Sequence, residues 1–309
     1  MRLAGAAGSL GRLLLGLWAV VTASFLCLYV LPGEPARMIL GPQASQASVD
    51  QFRADYGLNR PVGDQYLHYV SRLAALDLGT SYSRRQPVAA VVAGRLGATL
   101  LLAGAALALA LLTGIALPLV LISRRAEAVG GAFGFVLQAV AFIPPYLLAL
   151  AILLLATTVT NLAPVLFDPS SPLTWFLAAL ALAAYPAALL FQVFVQAMSK
   201  DLRSDYARRA AACGFSHSDV VLREVVRNAM SPPLAAIANT AAYFFTSALF
   251  VEAVFGIPGL GRLAQDAVRV KDLSLLNGVC IAYCLLVGLS ALLLDAVPRL
   301  LRPSGGSHR

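Results

Sequence analysis

The chain has 309 residues, 59% of them hydrophobic and 12% charged, with a formal net charge of +8 and a mean hydropathy of +0.78. Soluble domains carry about 25% charged residues, so this chain cannot coat its surface with ions in water. Disordered chains are polar and charge-rich, so the same numbers exclude disorder and leave an integral membrane protein.

An apolar run of about 20 residues is long enough to cross a bilayer. Six are present: Leu13–Leu31, Ala98–Ile122, Gly131–Val159, Trp175–Met198, Pro233–Phe255 and Leu275–Val297. They predict an all-α protein of six transmembrane helices. The first run follows Arg2 and Arg12, as a signal peptide would, but it exceeds a usual h-region. Leu31-Pro32-Gly33-Glu34 also offers no small-residue cleavage pair, so the segment 1–31 reads as an uncleaved anchor.

Charge sets the direction. With the N-terminus inside, thirteen of the 23 Lys and Arg fall in cytoplasmic segments and three (Arg262, Arg269, Lys271) in short outer loops. The other seven lie in the long segment 32–97, and long loops translocate largely regardless of charge. Both termini are therefore expected in the cytoplasm. The same distribution accounts for the basic balance without nucleic acid, because no basic surface interleaved with aromatics is present. Segment 32–97 reads as an extracytoplasmic cap with helices at Ser48–Tyr56, capped by Ser48 and ended by Gly57, and at Pro61–Leu76. A turn follows from Gly79 through Pro87. Residues 98–303 form a five-helix core, followed by a tail at 304–309.

Chemistry is sparse. The only lysines, Lys200 and Lys271, do not follow Gly, so no phosphate-cradling G-x-x-x-x-G-K-[ST] loop exists. H-E-x-x-H and G-x-S-x-G are also absent. Cys27, Cys213, Cys280 and Cys284 lack metal-ligand spacing with His68, His217 or His308 and read as inert thiols. No catalytic or metal site is expected. Glu252 and Asp295 sit near span ends, too few acids for a proton relay, and Asp295 with Arg299 (i, i+4) reads as a helix-end ion pair. A secondary transporter would need an ion site and a membrane enzyme a nucleophile–base pair; neither is legible. Any ATP hydrolysis has to reside on another chain.

The most distinctive stretch is the cytoplasmic segment 199–232. Ala-rich Tyr206–Cys213 predicts a short helix closed by Gly214, after which Ser216 caps a second helix with Asp219 three residues on. Leu222, Val225, Val226 and Ala229 give that helix an apolar stripe, with Arg223 and Arg227 elsewhere. Two short helices joined by Gly read as a docking element; an amphipathic loop lying on lipid headgroups is the alternative.

These residues resemble the EAA loop of ATP-binding-cassette (ABC) importer permeases of the dipeptide/oligopeptide/nickel type. That pattern runs D-Y-x-R-x-A-R-A-K-G-L-S, then R-H-x-x-R-N-A, then P. Asp205, Tyr206, Arg208, Ala210, Ala212, Gly214, Ser216, Arg223, Arg227, Asn228, Ala229 and Pro232 match it. Ala211 and Cys213 replace basic residues and Glu224 stands where His is usual, which alters the charge offered to a partner. Further matches lie in order: Gly33-Glu34-Pro35, Tyr56-Gly57-Leu58-Asn59-Arg60-Pro61, Asp77-Leu78-Gly79-Thr80-Ser81, Ile143-Pro144-Pro145-Tyr146, and Glu252 through Arg262.

The resemblance implies a type I ABC importer permease without catalysis of its own, in the inner membrane. It implies a homologous second permease, two ATPase subunits inside carrying ATP and Mg, and a solute-binding protein outside. The substrate expected is a di- or oligopeptide, with nickel chelates, haem or glutathione as alternatives. Asp205, Tyr206, Arg208, Ala210, Gly214, Ser216, Arg223, Glu224, Arg227 and Asn228 would couple to the ATPase. Arg208 would pair with an ATPase acid or simply stay solvated. In the fifth span Asn239, Tyr243, Thr246 and Phe250 share one face with Ser247 beside them, as pathway lining or as glue between helices. Glu252 would anchor an outer gate through Arg262 or backbone N–H groups, or sit solvated at the interface. Pro258, Gly259 and Gly261 would fold the chain back into the vestibule, and Pro144, Pro145 and Pro186 would kink spans three and four.

Overall fold

The structure, a computed structural model, describes residues 11, 15–23, 25–26, 34–159, 168 and 171–301, with the side chains of 35, 127–128, 159, 238–239, 241 and 291–301 outside that description. The first apolar run, Cys27 and the Asp295/Arg299 pair thus fall wholly or partly outside it. The chain divides into two compact units, residues 1–99 with 258–288, and residues 100–257 with 289–309.

The first unit is built from short helices: α1 (Pro35–Leu40), α2 (Gln46–Asp55), α3 (Val62–Ala74) and α11 (Leu260–Arg269), with the start of α4 (Val88–Ser123) and of α12 (Leu273–Leu301). Ser45, not Ser48, caps α2, its hydroxyl accepting from the Ser48 N–H at 3.2 Å. The extended backbone of Ser45 aims the hydroxyl at the third amide, the geometry a cap requires. Gly57 then ends α2 in the left-handed region at φ +65°, as expected. Ala36, Val49, Phe52 and Tyr82 form a small buried core. The Thr22 and Tyr66 hydroxyls, 2.8 Å apart, tie the first apolar run to α3.

The turn at 79–87 is closed by a bridge between Thr80 and Pro87. The Gly79 N–H and the Arg72 guanidinium hold the Asp77 carboxyl below the usual carboxylate range. Asp272, fully buried, fastens this turn to α12. Its Oδ2 accepts from Ser81 Oγ (2.6 Å), Ser83 Oγ (2.8 Å) and Ser83 N (2.9 Å), while Oδ1 caps α12 through Leu275 N (3.1 Å). An amide in place of the carboxylate would set an NH₂ against at least one donor. A buried donor left unpaired costs about 1–3 kcal/mol. Asp272→Asn is therefore expected to loosen the turn and speed tryptic cleavage after Arg84 and Arg85, measured on the purified protein; an unchanged rate would contradict this role.

The second unit holds the rest of α4, α5 (Glu127–Ala141), α6 (Pro145–Leu154), α7 (Pro172–Leu202), α8 (Asp205–Ala212), a helical run 217–229 called α9, and α10 (Ser231–Phe255). Helix α7 is its axis, packed by α10, α5, α6 and the π-turn of α4 at Leu112–Ala116. Its buried face is rich in small residues (Ala178, Ala179, Ala181, Ala183, Ala187, Ala188), which let neighbouring backbones approach closely. Pro186 lies inside α7 without ending it.

Among the described residues three helices are long and apolar enough to cross a membrane: Val88–Ser123, Pro172–Leu202 and Leu273–Ser290. Two bent pairs raise this to five, if each pair is one span. Ser231–Ile237 and Ala242–Phe255 meet at 43°, and Val129–Ala141 and Pro145–Thr158 at 103°. The third apolar run is therefore not one straight helix. Pro144 and Pro145 block the α conformation of the residue before each and remove two N–H donors. Each half spans only about 20 Å at 1.5 Å per residue.

Gly114 marks a tight approach between backbones. A Cβ there would lie 2.8 Å from the Ala187 carbonyl oxygen and 2.8 Å from Leu190 Cβ. Overpacking of this kind costs about 1–3 kcal/mol. Gly114→Ala is expected to lower the melting temperature of the purified protein by several degrees. Gly104→Ala, with nothing within 4 Å of its Cβ, leaves it unchanged or raises it slightly; equal melting of the two variants would contradict the packing.

Candidate functional site

The segment after α7 folds as two capped helices. The Ser204 hydroxyl accepts from Ala207 N (3.4 Å) and donates to Asp201 C=O (2.6 Å), so α8 starts at Asp205, one residue before the predicted Tyr206. Its end is a Schellman closure: Gly214 N returns to Ala211 O (3.1 Å) and Phe215 N to Ala210 O (3.4 Å), with Gly214 at φ +88°. The Ser216 hydroxyl then accepts from Asp219 N at 3.2 Å and donates to the Asp219 carboxylate, opening α9.

Helix α9 departs from the predicted stripe. Residues Val220–Val225 form a π-turn, whose i→i+5 bonding moves the inward face from a 3.6-residue period. Val220, Val221, Val225 and Ala229 are buried, whereas Leu222 is turned outward at 53% exposure. The buried set joins Ala207, Phe194 and Met198 in one apolar cluster, with Ile115, Leu119, Ile122 and Tyr206 against it. Two side chains also close the open end of α4. His217 Nε2 donates to Ile122 C=O at 3.0 Å and Ser218 Oγ to Ser123 C=O at 3.1 Å. The last carbonyls of a helix lack intrahelical donors; Ile122 C=O also accepts from Arg125 N of the closing turn at 3.1 Å. Sequence pattern could not point to either residue, because each partner lies 95 positions away. Ser204 was legible as a Ser directly before an acidic first turn.

The opposite side of the segment stands open. Asp205, Arg208, Arg209, Cys213, Gly214, Ser216, Arg223, Glu224, Arg227 and Asn228 are exposed, and Phe215 presents 51% of its surface. Arg223 pairs with Asp219 at 3.3 Å, and Asn228 Nδ2 donates to the Glu224 carbonyl. Ala210 is partly buried. Among the described residues Arg208 makes no ion pair.

On α10, Tyr243 is half-buried with its ring 4.8 Å from that of Tyr185, while Thr246 and Phe250 are exposed and Ser247 is buried. The Thr246 hydroxyl donates to Ala242 C=O of its own helix (2.9 Å), so here it is not glue between helices. Phe250 meets Tyr146 of α6 at 6.3 Å. The Asn239 side chain lies outside the described residues. Glu252 is fully buried rather than solvated, and its carbonyl accepts from Ile257 N at 2.9 Å as Gly256 (φ +72°) ends α10.

Arg262 belongs to the first unit. There Gly259 is the extended N-cap of α11, Gly261 is buried, and the Leu260 N–H donates to Thr99 Oγ1 at 2.9 Å. Pro258 C=O accepts from Arg95 (3.4 Å), and Arg262 faces a 290 Å³ cavity with Arg84, Arg95 and Asp266. Among the described residues no group of three or more His, Cys, Asp and Glu is arranged to hold a metal.

Two family profiles match the chain in succession: the N-terminal component of binding-protein-dependent transport system membrane proteins over residues 9–103, and the binding-protein-dependent transport system inner membrane component over residues 106–304. The chain is 29% identical to the dipeptide transport system permease protein DppB of Lactococcus lactis subsp. cremoris over 295 residues, covering 95% of this chain and 96% of that protein. It is 30% identical to the glutathione transport system permease protein GsiC of Escherichia coli K12 over 299 residues, covering 93% and 94%. GsiC of Shigella boydii matches to the same extent. The chain therefore belongs to the inner-membrane components of binding-protein-dependent transport systems, the permeases of ABC importers, and is a multi-pass protein of the inner membrane.

Proposed function

We propose that this chain forms half of the translocation pathway of a short-peptide importer, paired with a homologous second permease. A solute-binding protein delivers the peptide outside, and two ATPase subunits, which carry ATP and Mg, drive the cycle inside. The chain itself is non-catalytic and holds no cofactor. In this reading it spans the membrane six times with both termini in the cytoplasm. The names of its relatives support the substrate class: one is a dipeptide permease and others are glutathione permeases, and glutathione is itself a tripeptide.

The observation that carries the mechanism is the helix–Gly–helix segment 205–229, buried against α4 and α7 on one side and open on the other. A partner that grips Arg208, Phe215 and Leu222 moves two membrane-length helices with them, because the inner side of the segment is packed and hydrogen-bonded to their ends. The ATPase closes, the segment follows, and the face of α10 bearing Tyr243, Thr246 and Phe250 reorients. Polar groups are tolerated on that face only where it lines a cavity or another protein surface.

Gly214 gives the test. A Cβ there meets nothing within 4 Å in this chain, so within the chain a substitution acts through its φ of +88°, and a long side chain also enters the exposed face. An L-residue in the left-handed region costs about 1–2 kcal/mol. Gly214→Arg is expected to abolish ATP-driven peptide uptake at normal membrane abundance, while Gly214→Asn, which tolerates that conformation, keeps most of it. Wild-type uptake by Gly214→Arg would contradict the coupling role.

A further inference from the structure

A cavity of about 660 Å³ in the second unit lies between the ends of α4 and α7, with α8 as one wall. Leu121, Phe191 and Val195 give it an apolar floor, beside Ser199 and His217. Three guanidinium groups stand on its lining, each from a different element: Arg125 just beyond α4, Arg203 at the C-cap of α7, and Arg208 on α8. No Asp or Glu lines it among the described residues, and none of the three guanidiniums there makes an ion pair or a side-chain hydrogen bond. The cavity thus carries three positive charges that no described side chain pairs; the Glu127 side chain, next to Ala126, lies outside the described residues.

Arg125 closes α4. It occupies the C′ position of a Schellman closure, with Arg125 N bonded to Ile122 O (3.1 Å) and Ala126 N to Leu121 O (2.9 Å), at φ +56°. Glycine sits there without strain, as Gly214 does at the end of α8. Leu76 and Lys271 close α3 and α11 in the same way, so what the turn does here is place the Arg125 side chain at the mouth of the cavity.

We propose that this cavity binds an anionic phospholipid, with its phosphate on Arg125 and Arg203 and an acyl chain over Leu121, Phe191 and Val195. The depth fits, since Arg125 and Arg203 follow directly on the last turns of two membrane-length helices, where headgroups lie. The chemistry fits too. Guanidinium is weakly hydrated and matches phosphate oxygens in bidentate fashion, and basic pockets between transmembrane helices hold acidic headgroups. A free phosphate would leave the apolar floor empty, and a zwitterionic lipid would leave the charge uncompensated. An occupant here touches α8 directly through Ala207, Arg208 and Ala211.

The test is lipid retention by the full-length chain in its purified complex, read by native mass spectrometry against added phosphatidylglycerol, phosphatidylcholine or inorganic phosphate. Phosphatidylglycerol is expected to bind saturably and phosphatidylcholine not to. The double variant Arg125→Gln/Arg203→Gln should weaken binding by about thirtyfold, and Arg125→Lys/Arg203→Lys should restore most of it. A melting curve of each complex verifies folding. Equal phosphatidylglycerol retention by wild type and the glutamine variant would overturn the site. Displacement of the lipid by millimolar inorganic phosphate would overturn the lipid as its ligand.

Discussion

The carbonyl groups at the end of a membrane helix need donors, and at the end of α4 the closing turn supplies some and a distant stretch of chain the others. His217 and Ser218 donate to Ile122 and Ser123, and directly beneath them Val220, Val221 and Val225 bury themselves with Phe194 and Met198 of α7. The Ile122 oxygen can only accept, so His217 must carry its proton on Nε2. Satisfied polar ends and a shared apolar cluster make the segment 205–229 a rigid extension of the helical core. A loop held only at its two ends could not transmit a displacement.

The other side of the same segment is exposed. The Schellman closure at Gly214 turns the chain sharply and leaves Phe215 exposed, and the π-turn in α9 carries Leu222 out as well. Exposed aromatic and aliphatic groups among arginines suit a protein partner better than water. One face is therefore anchored and the other available, the arrangement a mechanical coupling element requires. In the outer part of the chain Asp272 gathers Ser81, Ser83 and the first turn of α12 in the same economical way.

Much of this was legible in the sequence because it depends on local chemistry. The hydropathy runs found α4, α7 and α12, since burial in lipid demands unbroken apolar length. Gly57, Gly214 and Ser216 were found because left-handed turns and N-caps restrict which residues can stand there. Ser45 and Leu222 were misjudged for physical reasons. Ser45 and Ser48 offer the same side chain three positions apart, and only backbone conformation decides which is the cap. A π-turn leaves no mark in the pattern of apolar residues, so a stripe drawn at 3.6 residues placed Leu222 inside. Pro144 and Pro145 signalled a kink, but a 103° break needs the surrounding helices to set its size. The contacts of His217, Ser218, Ser81 and Ser83 were invisible, because their partners lie 95 to 191 positions away.

Cys213 offers a direct view of the central claim, that the open face of segment 205–229 meets the ATPase. Its thiol is exposed on the turn between α8 and α9, while Cys280 and Cys284 are half-buried. Labelling with a membrane-impermeant maleimide can be compared in inside-out vesicles containing the permeases alone and in vesicles containing the complete transporter. Rapid modification of Cys213 by itself, with strong protection once the ATPase subunits are bound, is the predicted result. Equal labelling rates in the two preparations would contradict the account.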